Sequence, residues 1–157
     1  MNPQTRSLLI ERVIDSLALL APGSVFEQFS VVLVEKMLDI KLVPRGLNVA
    51  GSPVGGVLDA VSEDGRIVVE ASINKSYFAG AMDKAWGDLD HTLALAPHVL
   101  DIYLLSSQRA QTGVIEDAVN TALMQDRMVG RTLHLMDSRA IAETIIDTLM
   151  FRDDAID

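Results

Sequence analysis

Asp59 and Glu70 are the acids whose spacing can do chemistry. They flank Glu63-Asp64-Gly65-Arg66, between two β-rich runs, Val57–Ser62 and Arg66–Ser72. An Asp-Gly pair between such runs predicts a hairpin. With Asp64-Gly65 as the turn residues, Glu63 faces Arg66, and counting outwards sets Asp59 directly opposite Glu70. Opposed residues have Cβ atoms about 4.5–5.5 Å apart and share one face of the sheet. Like charges so placed need compensation. A divalent cation is the natural one: Mg2+ (or Mn2+) takes one or two carboxylates together with water and phosphate oxygens, and can polarise a phosphodiester and activate water. The competing reading is a partly exposed hairpin carrying two solvated acids, and a slip of one residue would put them on opposite faces.

Other residues have two readings each. Glu27 is a candidate third metal ligand, but Ser24-Val25-Phe26-Glu27 also fits a capping box in which Glu27 folds back on Ser24. Gln108 either meets phosphate or water beside the acids or is an ordinary loop residue. Lys84, Asp88 and His91 recur at helical spacing near Trp86: this face either touches substrate or, the favoured reading, is a solvated helix face with a Lys84–Asp88 ion pair. His91, His98 and His134 lack metal-binding spacing, and without cysteine no zinc site is expected; His134, in an alternating strand, reads as structural. Gly51-Ser52-Pro53-Val54-Gly55-Gly56 has no Gly-Lys-Ser/Thr and leads into a strand rather than a helix, so it is not a phosphate loop. Its expected role is to bring backbone close to Asp59. Tyr103-Leu104-Leu105-Ser106-Ser107 lacks the nucleophile-elbow pattern of serine hydrolases.

The elements that must hold these residues follow from periodicity and punctuation. A helix is expected over residues 3–20, with Leu8, Leu9, Val13, Leu17 and Leu20 on one stripe, broken by Ala21-Pro22-Gly23. A second runs from Ser24 to about Leu38, burying Phe26, Phe29, Leu33, Met37 and Leu38. Residues 40–56 are a Gly- and Pro-rich loop with a short strand at Ile40–Val43. After the hairpin come a helix (Ala79–Ala96), a strand (Val99–Ser106), a helix (Thr112–Gln125), a strand (Arg131–Met136) and a helix (Ser138–Met150), with Thr112 and Ser138 as N-caps. That alternation implies parallel strands with right-handed crossovers. Leu58, Ala60, Ile67, Val69 and Ala71 form an apolar hairpin face that must be core.

The 157 residues are the size of one domain. With 49% hydrophobic and 22% charged residues the composition is that of an ordinary globular protein. No apolar run reaches the roughly 18 residues that cross a bilayer, and no signal peptide is evident. Cytoplasmic residence and no membrane partner are therefore expected. The formal net charge of −9 argues against a tight, self-sufficient duplex binder, which would carry a basic footprint. Part of that charge lies in the tail, at Asp153, Asp154 and Asp157.

Gly56-Val57-Leu58-Asp59-Ala60, a turn, then Val68-Val69-Glu70-Ala71-Ser72 resembles the core motif of PD-(D/E)xK, or restriction-endonuclease-like, nucleases. Phe26-Glu27-Gln28-Phe29 resembles the helix that enters this core in Mrr-like members, and the α-β-β-β-α-β order continues the likeness over residues 24–136. The resemblance implies an α/β fold with a restriction-endonuclease-like mixed sheet flanked by helices. It divides the chain into an N-terminal helix (residues 1–22), the nuclease-like domain (23–152) and an acidic tail (153–157). It implies a Mg2+-dependent endonuclease acting on nucleic acid, DNA above all, with Asp59 and Glu70 catalytic and metal-binding. Such modules often belong to larger bacterial defence or restriction proteins, so delivery by fused partner domains or a homodimer is expected. One residue departs from the pattern: the family lysine would fall at Ser72. Lys75 is the nearest substitute, since this lysine can migrate in the superfamily and still reach the site. The same departure supports the alternative, a catalytically inactive relative kept as an interaction or dimerisation module.

Overall fold

The hairpin turn is wider than a two-residue loop. Ser62 C=O accepts from Gly65 N–H at 3.0 Å, so Glu63 and Asp64 sit mid-turn, and only Gly65 takes the left-handed conformation, with φ 73°. Asp64 Oδ1 accepts from Ser62 Oγ at 2.7 Å and Arg66 N–H at 3.0 Å, and the Ser62 hydroxyl oxygen accepts from Ile67 N–H at 3.0 Å. These side chains extend the ladder beyond its last backbone rung. The strands are β2 (Ala60–Ser62) and β3 (Ile67–Ser72), with Ala60 opposite Val69 and Val61 opposite Val68. That is the register counted from the sequence: widening the loop by one residue on each side leaves the pairing unchanged.

The computed structural model describes residues 1–44 and 58–150, the last two by backbone alone. The expected Gly51–Gly56 loop, the first residue of the expected 57–62 strand and the acidic tail lie outside the described residues. Helix α1 (Pro3–Ala18) and helix α2 (Gly23–Leu38) precede β1 (Leu42–Pro44). After β3 come α3 (Asp83–Leu95), β4 (Asp101–Ser106), α4 (Val114–Leu123), a short turn of 3-10 helix, β5 (Thr132–Met136) and α5 (Ser138–Thr144), which runs on as π-helix over Ile145–Met150. Among the described residues the protein is α/β, with one five-stranded mixed open sheet in the order β1-β2-β3-β4-β5. The pairs β1–β2 and β2–β3 are antiparallel; β3–β4 and β4–β5 are parallel. No helix among the described residues is long and apolar enough to cross a membrane.

Both faces of the sheet are buried. Val61, Val68, Ile102, Leu104, Leu133 and Leu135 pack beneath α3 and α4. Ala60, Val69, Ala71, Tyr103, Leu105 and Met136 pack against Phe26 and Val34 of α2 and Ile141 of α5. Leu58 joins the first group, not the second as strand alternation predicted. It lies before β2 begins, where the chain has left the pleat and alternation no longer decides a side chain's face. Helix α1 docks through Ile10 and Ile14 on Ala142 and Ile146, while Leu8, placed on its expected buried stripe, is 59% exposed.

Helices α3 and α4 start later than expected, and α5 starts at Ser138 as expected but with a different cap. Helix α3 begins at Asp83 rather than Ala79, because Gly80 (φ 60°) and Met82 (φ 56°) are left-handed and interrupt an α-helix. Met82 of the freed segment joins Tyr77 and Phe78, which precede it, in the core. Gly113, not Thr112, precedes α4. Asp137, not Ser138, caps α5: its Oδ1 accepts from Ala140 N–H at 2.9 Å and its Oδ2 from Ala110 N–H at 2.8 Å.

Candidate active site

Asp59 stands just before β2 and Glu70 in the middle of β3. Glu70 Oε1 accepts from Asp59 N–H at 3.0 Å, and Asp59 Oδ2 accepts from Ala71 N–H at 2.8 Å. Each acid thus binds the other strand's backbone, and the two side chains replace the ladder where β2 peels away. The other oxygens, Asp59 Oδ1 and Glu70 Oε2, make no hydrogen bond among the described residues. Asp59 is half-buried, whereas Glu70 is only 7% exposed.

Burial and mutual repulsion set the protonation of the pair. The Glu70 carboxyl is pushed up to about 9, first by burial, then by the charges of Asp59 and Asp88; the Asp59 amide and Lys84 oppose this. Asp59 rises to about 6, again mainly by burial, opposed by the Ala71 amide and Lys84. Asp59 ionises first, so its charge is what Glu70 meets. At neutral pH the pair holds one charge and one proton, and a bound cation would take the place of that proton.

Glu27 belongs with this group. The capping box does not form: α2 starts at Gly23 behind Pro22, with no side-chain cap. Glu27 instead lines a cavity of about 240 Å³ with Val31, Glu35, Leu42, Pro44 and Asp59. Burial, then Asp59, lifts its carboxyl to about 7. Among the described residues, however, no three His, Asp or Glu side chains stand close enough together to hold a metal ion. The donor set that does fit a hard divalent cation is the Asp59–Glu70 pair, adjacent, all-oxygen, with one oxygen of each acid unengaged by the described residues; Mg2+ needs no more than one or two carboxylates from protein.

Among the described residues, the cation whose charge bears on Glu27, Asp59 and Glu70 alike is the exposed Lys84. Its Nζ is 3.6 Å from Asp88 Oδ2, the ion pair expected on α3, and 5.8 Å from the centroid of the Tyr77 ring. The Tyr77 hydroxyl donates to Asp88 Oδ2 at 2.7 Å. The expected solvated face holds at Lys84 and His91, which are exposed, whereas Asp88 is half-buried and faces both the Lys84 ammonium and the Tyr77 hydroxyl. The i,i+4 spacing showed the pair; Tyr77 gave no signal, since a tyrosine after a strand usually means core. Lys75 is exposed in the turn after β3 and forms no ion pair among the described residues. Ser72, at the position where the resemblance expects lysine, is buried and accepts from Asn74 N–H at 3.1 Å. Gln108 bonds locally, donating through Nε2 to Ser107 Oγ at 3.2 Å and through its backbone N–H to Ser106 Oγ at 3.0 Å. His91 is exposed, and His134 stacks on Tyr103 at 4.1 Å while bonding Asp101 at 3.0 Å.

Compared with known proteins, the chain matches no family model, no curated protein and no solved structure.

Proposed function

We propose that the chain is a divalent-metal-dependent phosphodiesterase module acting on nucleic acid, DNA above all, with a restriction-endonuclease-like arrangement of its sheet. The observation that carries this is the Asp59–Glu70 pair, facing each other where β2 leaves β3 and each bonded to the other segment's backbone. The antiparallel β1-β2-β3 edge joined to parallel β4 and β5 supports the architecture. A Mg2+ or Mn2+ ion held by Asp59 and Glu70 would supply Lewis-acid polarisation of the phosphodiester. The chain's own residues then do the rest. To hold that ion Glu70 would release its proton to solvent and both acids would turn an oxygen to it, while Glu27, which lines one cavity with Asp59, is a further acceptor for water. Lys84 offers its ammonium to the charge that develops on phosphate. This assigns to Lys84 the role the sequence suggested for Lys75. With a net charge of −9, delivery to DNA by fused or associated domains, as in defence and restriction proteins, fits better than independent binding.

A second reading is favoured by one observation: both acids already bind backbone amides. That fastening works without metal, and would serve an inactive relative used as an interaction or dimerisation module.

Nicking of supercoiled plasmid with Mg2+ or Mn2+ separates the two, using wild type, Glu70→Gln, Lys84→Ala and Lys75→Ala. The phosphodiesterase reading expects nicking that Glu70→Gln abolishes and that Lys84→Ala reduces by about a hundredfold. Loss with Lys75→Ala instead would return the catalytic role to Lys75. No nicking at high protein concentration, together with no metal binding by calorimetry, would leave the interaction module.

A further inference from the structure

We propose that Tyr77 and Asp88 form a positioning device that fixes the Lys84 ammonium on the exposed face of α3, ready for an anionic phosphate ester. This rests on the phosphodiesterase reading for its purpose, but its geometry stands independently.

Tyr77 is fully buried, packed at 4.9 Å against the Phe78 ring beneath the sheet. A buried phenol needs a partner for its hydroxyl, and most often a backbone carbonyl serves. Here the partner is the Asp88 carboxylate, at 2.7 Å. The same oxygen, Oδ2, is the one that faces Lys84. The order of control runs from the rigid core outward: packing fixes the Tyr77 ring, its hydroxyl fixes the Asp88 carboxylate, and that carboxylate attracts the ammonium.

The 3.6 Å separation matters. It is too long for a hydrogen bond yet close enough for a modest charge attraction between the exposed ammonium and the half-buried carboxylate. Asp88 holds Lys84 without engaging its donors, and Lys84 makes no hydrogen bond among the described residues. The Tyr77 ring adds a second attraction for the cation at 5.8 Å. A lysine side chain is otherwise flexible and pays for ordering when a ligand arrives. Holding it in advance removes that cost from the binding or reacting step. Tyr77 and Asp88 touch no substrate in this scheme; they are positioning residues.

Two measurements test it on the full chain. The chain has four lysines, Lys36, Lys41, Lys75 and Lys84, so NMR relaxation of isotope-labelled lysine side chains can follow each. In metal-free wild type the Lys84 ε-methylene should be the most restrained of them. In Tyr77→Phe, which removes only the hydroxyl, and in Asp88→Asn it should become as mobile as that of exposed Lys75. Equal mobility of Lys84 and Lys75 in wild type, or no change in the variants, would overturn the device. The second measurement is plasmid nicking with Mn2+. Tyr77→Phe should slow it about tenfold, as loss of a supporting partner does, with Mn2+ affinity unchanged. Added to Lys84→Ala it should cause no further loss, because both changes remove one unit. Losses that multiply would mean Tyr77 acts apart from Lys84, and the proposal fails. A wild type that neither nicks nor binds Mn2+ removes the phosphodiesterase reading; restrained Lys84, released by Tyr77→Phe, would then still support the device, and mobile Lys84 would end both.

Discussion

Replacing Glu70 by glutamine keeps the side chain's shape and its acceptor for the Asp59 amide, but removes the group that titrates. Glu70 is 7% exposed, and its carboxyl is raised from 4.5 to about 9. A raised acid in the folded state binds a proton that the unfolded chain has already lost. The unfolded state then holds fewer protons, so wild-type stability falls as pH rises from about 4.5 to about 9. One proton of difference gives a slope of at most about 1.4 kcal/mol per pH unit. Between about pH 5 and pH 8 that is up to about 4 kcal/mol, a large part of a domain's usual reserve of about 5–15 kcal/mol. The glutamine variant lacks this slope, while Asp59 and Glu27 titrate in both proteins, so the difference isolates Glu70. Urea unfolding at several pH values with chelator, followed through the single tryptophan, Trp86, measures it. Glu70→Gln should gain on wild type steadily towards alkaline pH, with equal m-values. Parallel stability curves across that range would mean that Glu70 is ionised in the folded protein and that the protonated pair described above is wrong.

Other consequences are simpler to measure. Because the metal-free pair carries a proton at neutral pH, Mn2+ binding should release about one proton per ion; calorimetry in buffers of different ionisation enthalpy reads this directly, and a buffer-independent heat counts against Asp59 and Glu70 as ligands. Gly65→Ala meets no atom within 4 Å yet must adopt φ 73°, so it should cost about 1–2 kcal/mol from backbone strain alone, seen as a lower melting temperature with unchanged spectra. Asp137→Ala frees the amides of both Ala110 and Ala140, and should cost about 1–2 kcal/mol in chemical denaturation; a loss near zero would mean that water replaces both bonds.

The sequence carried the pairing of Asp59 with Glu70 because β-structure has a period of two, and a turn signal anchors the count. It carried the order of helices and strands, and the parallel pairing of β3, β4 and β5, for the same reason: alternation of element types leaves few topologies. It did not carry the burial of the acidic face. A strand with Val68 and Glu70 on one side looks half-exposed until α3 covers it. Nor did it carry Glu27's environment, because the Ser24–Glu27 spacing fits a local cap as well as a tertiary site; Pro22 and Gly23 move the helix start and decide against the cap. Lys84 was visible only as half of an ion pair. What the spacing did not show is Tyr77, buried in the turn after β3, whose hydroxyl donates to the Asp88 oxygen that faces Lys84. Such effects depend on how elements meet, which local spacing does not encode.

The wider turn between β2 and β3 marks where this protein can change length. Both the two-residue loop and the four-residue loop observed here keep Asp59 facing Glu70, because each strand surrenders one residue. Losing or gaining a single residue in Glu63–Arg66 leaves three or five residues to close the hairpin, lengths that a bulged or longer turn accommodates, while the buried residues on both faces of β2 and β3 hold the register. The loop is therefore free to vary in length and the pair is not. A library of loop lengths, screened for metal binding, should show survivors at odd and even counts alike, whereas an insertion within β3 should yield none.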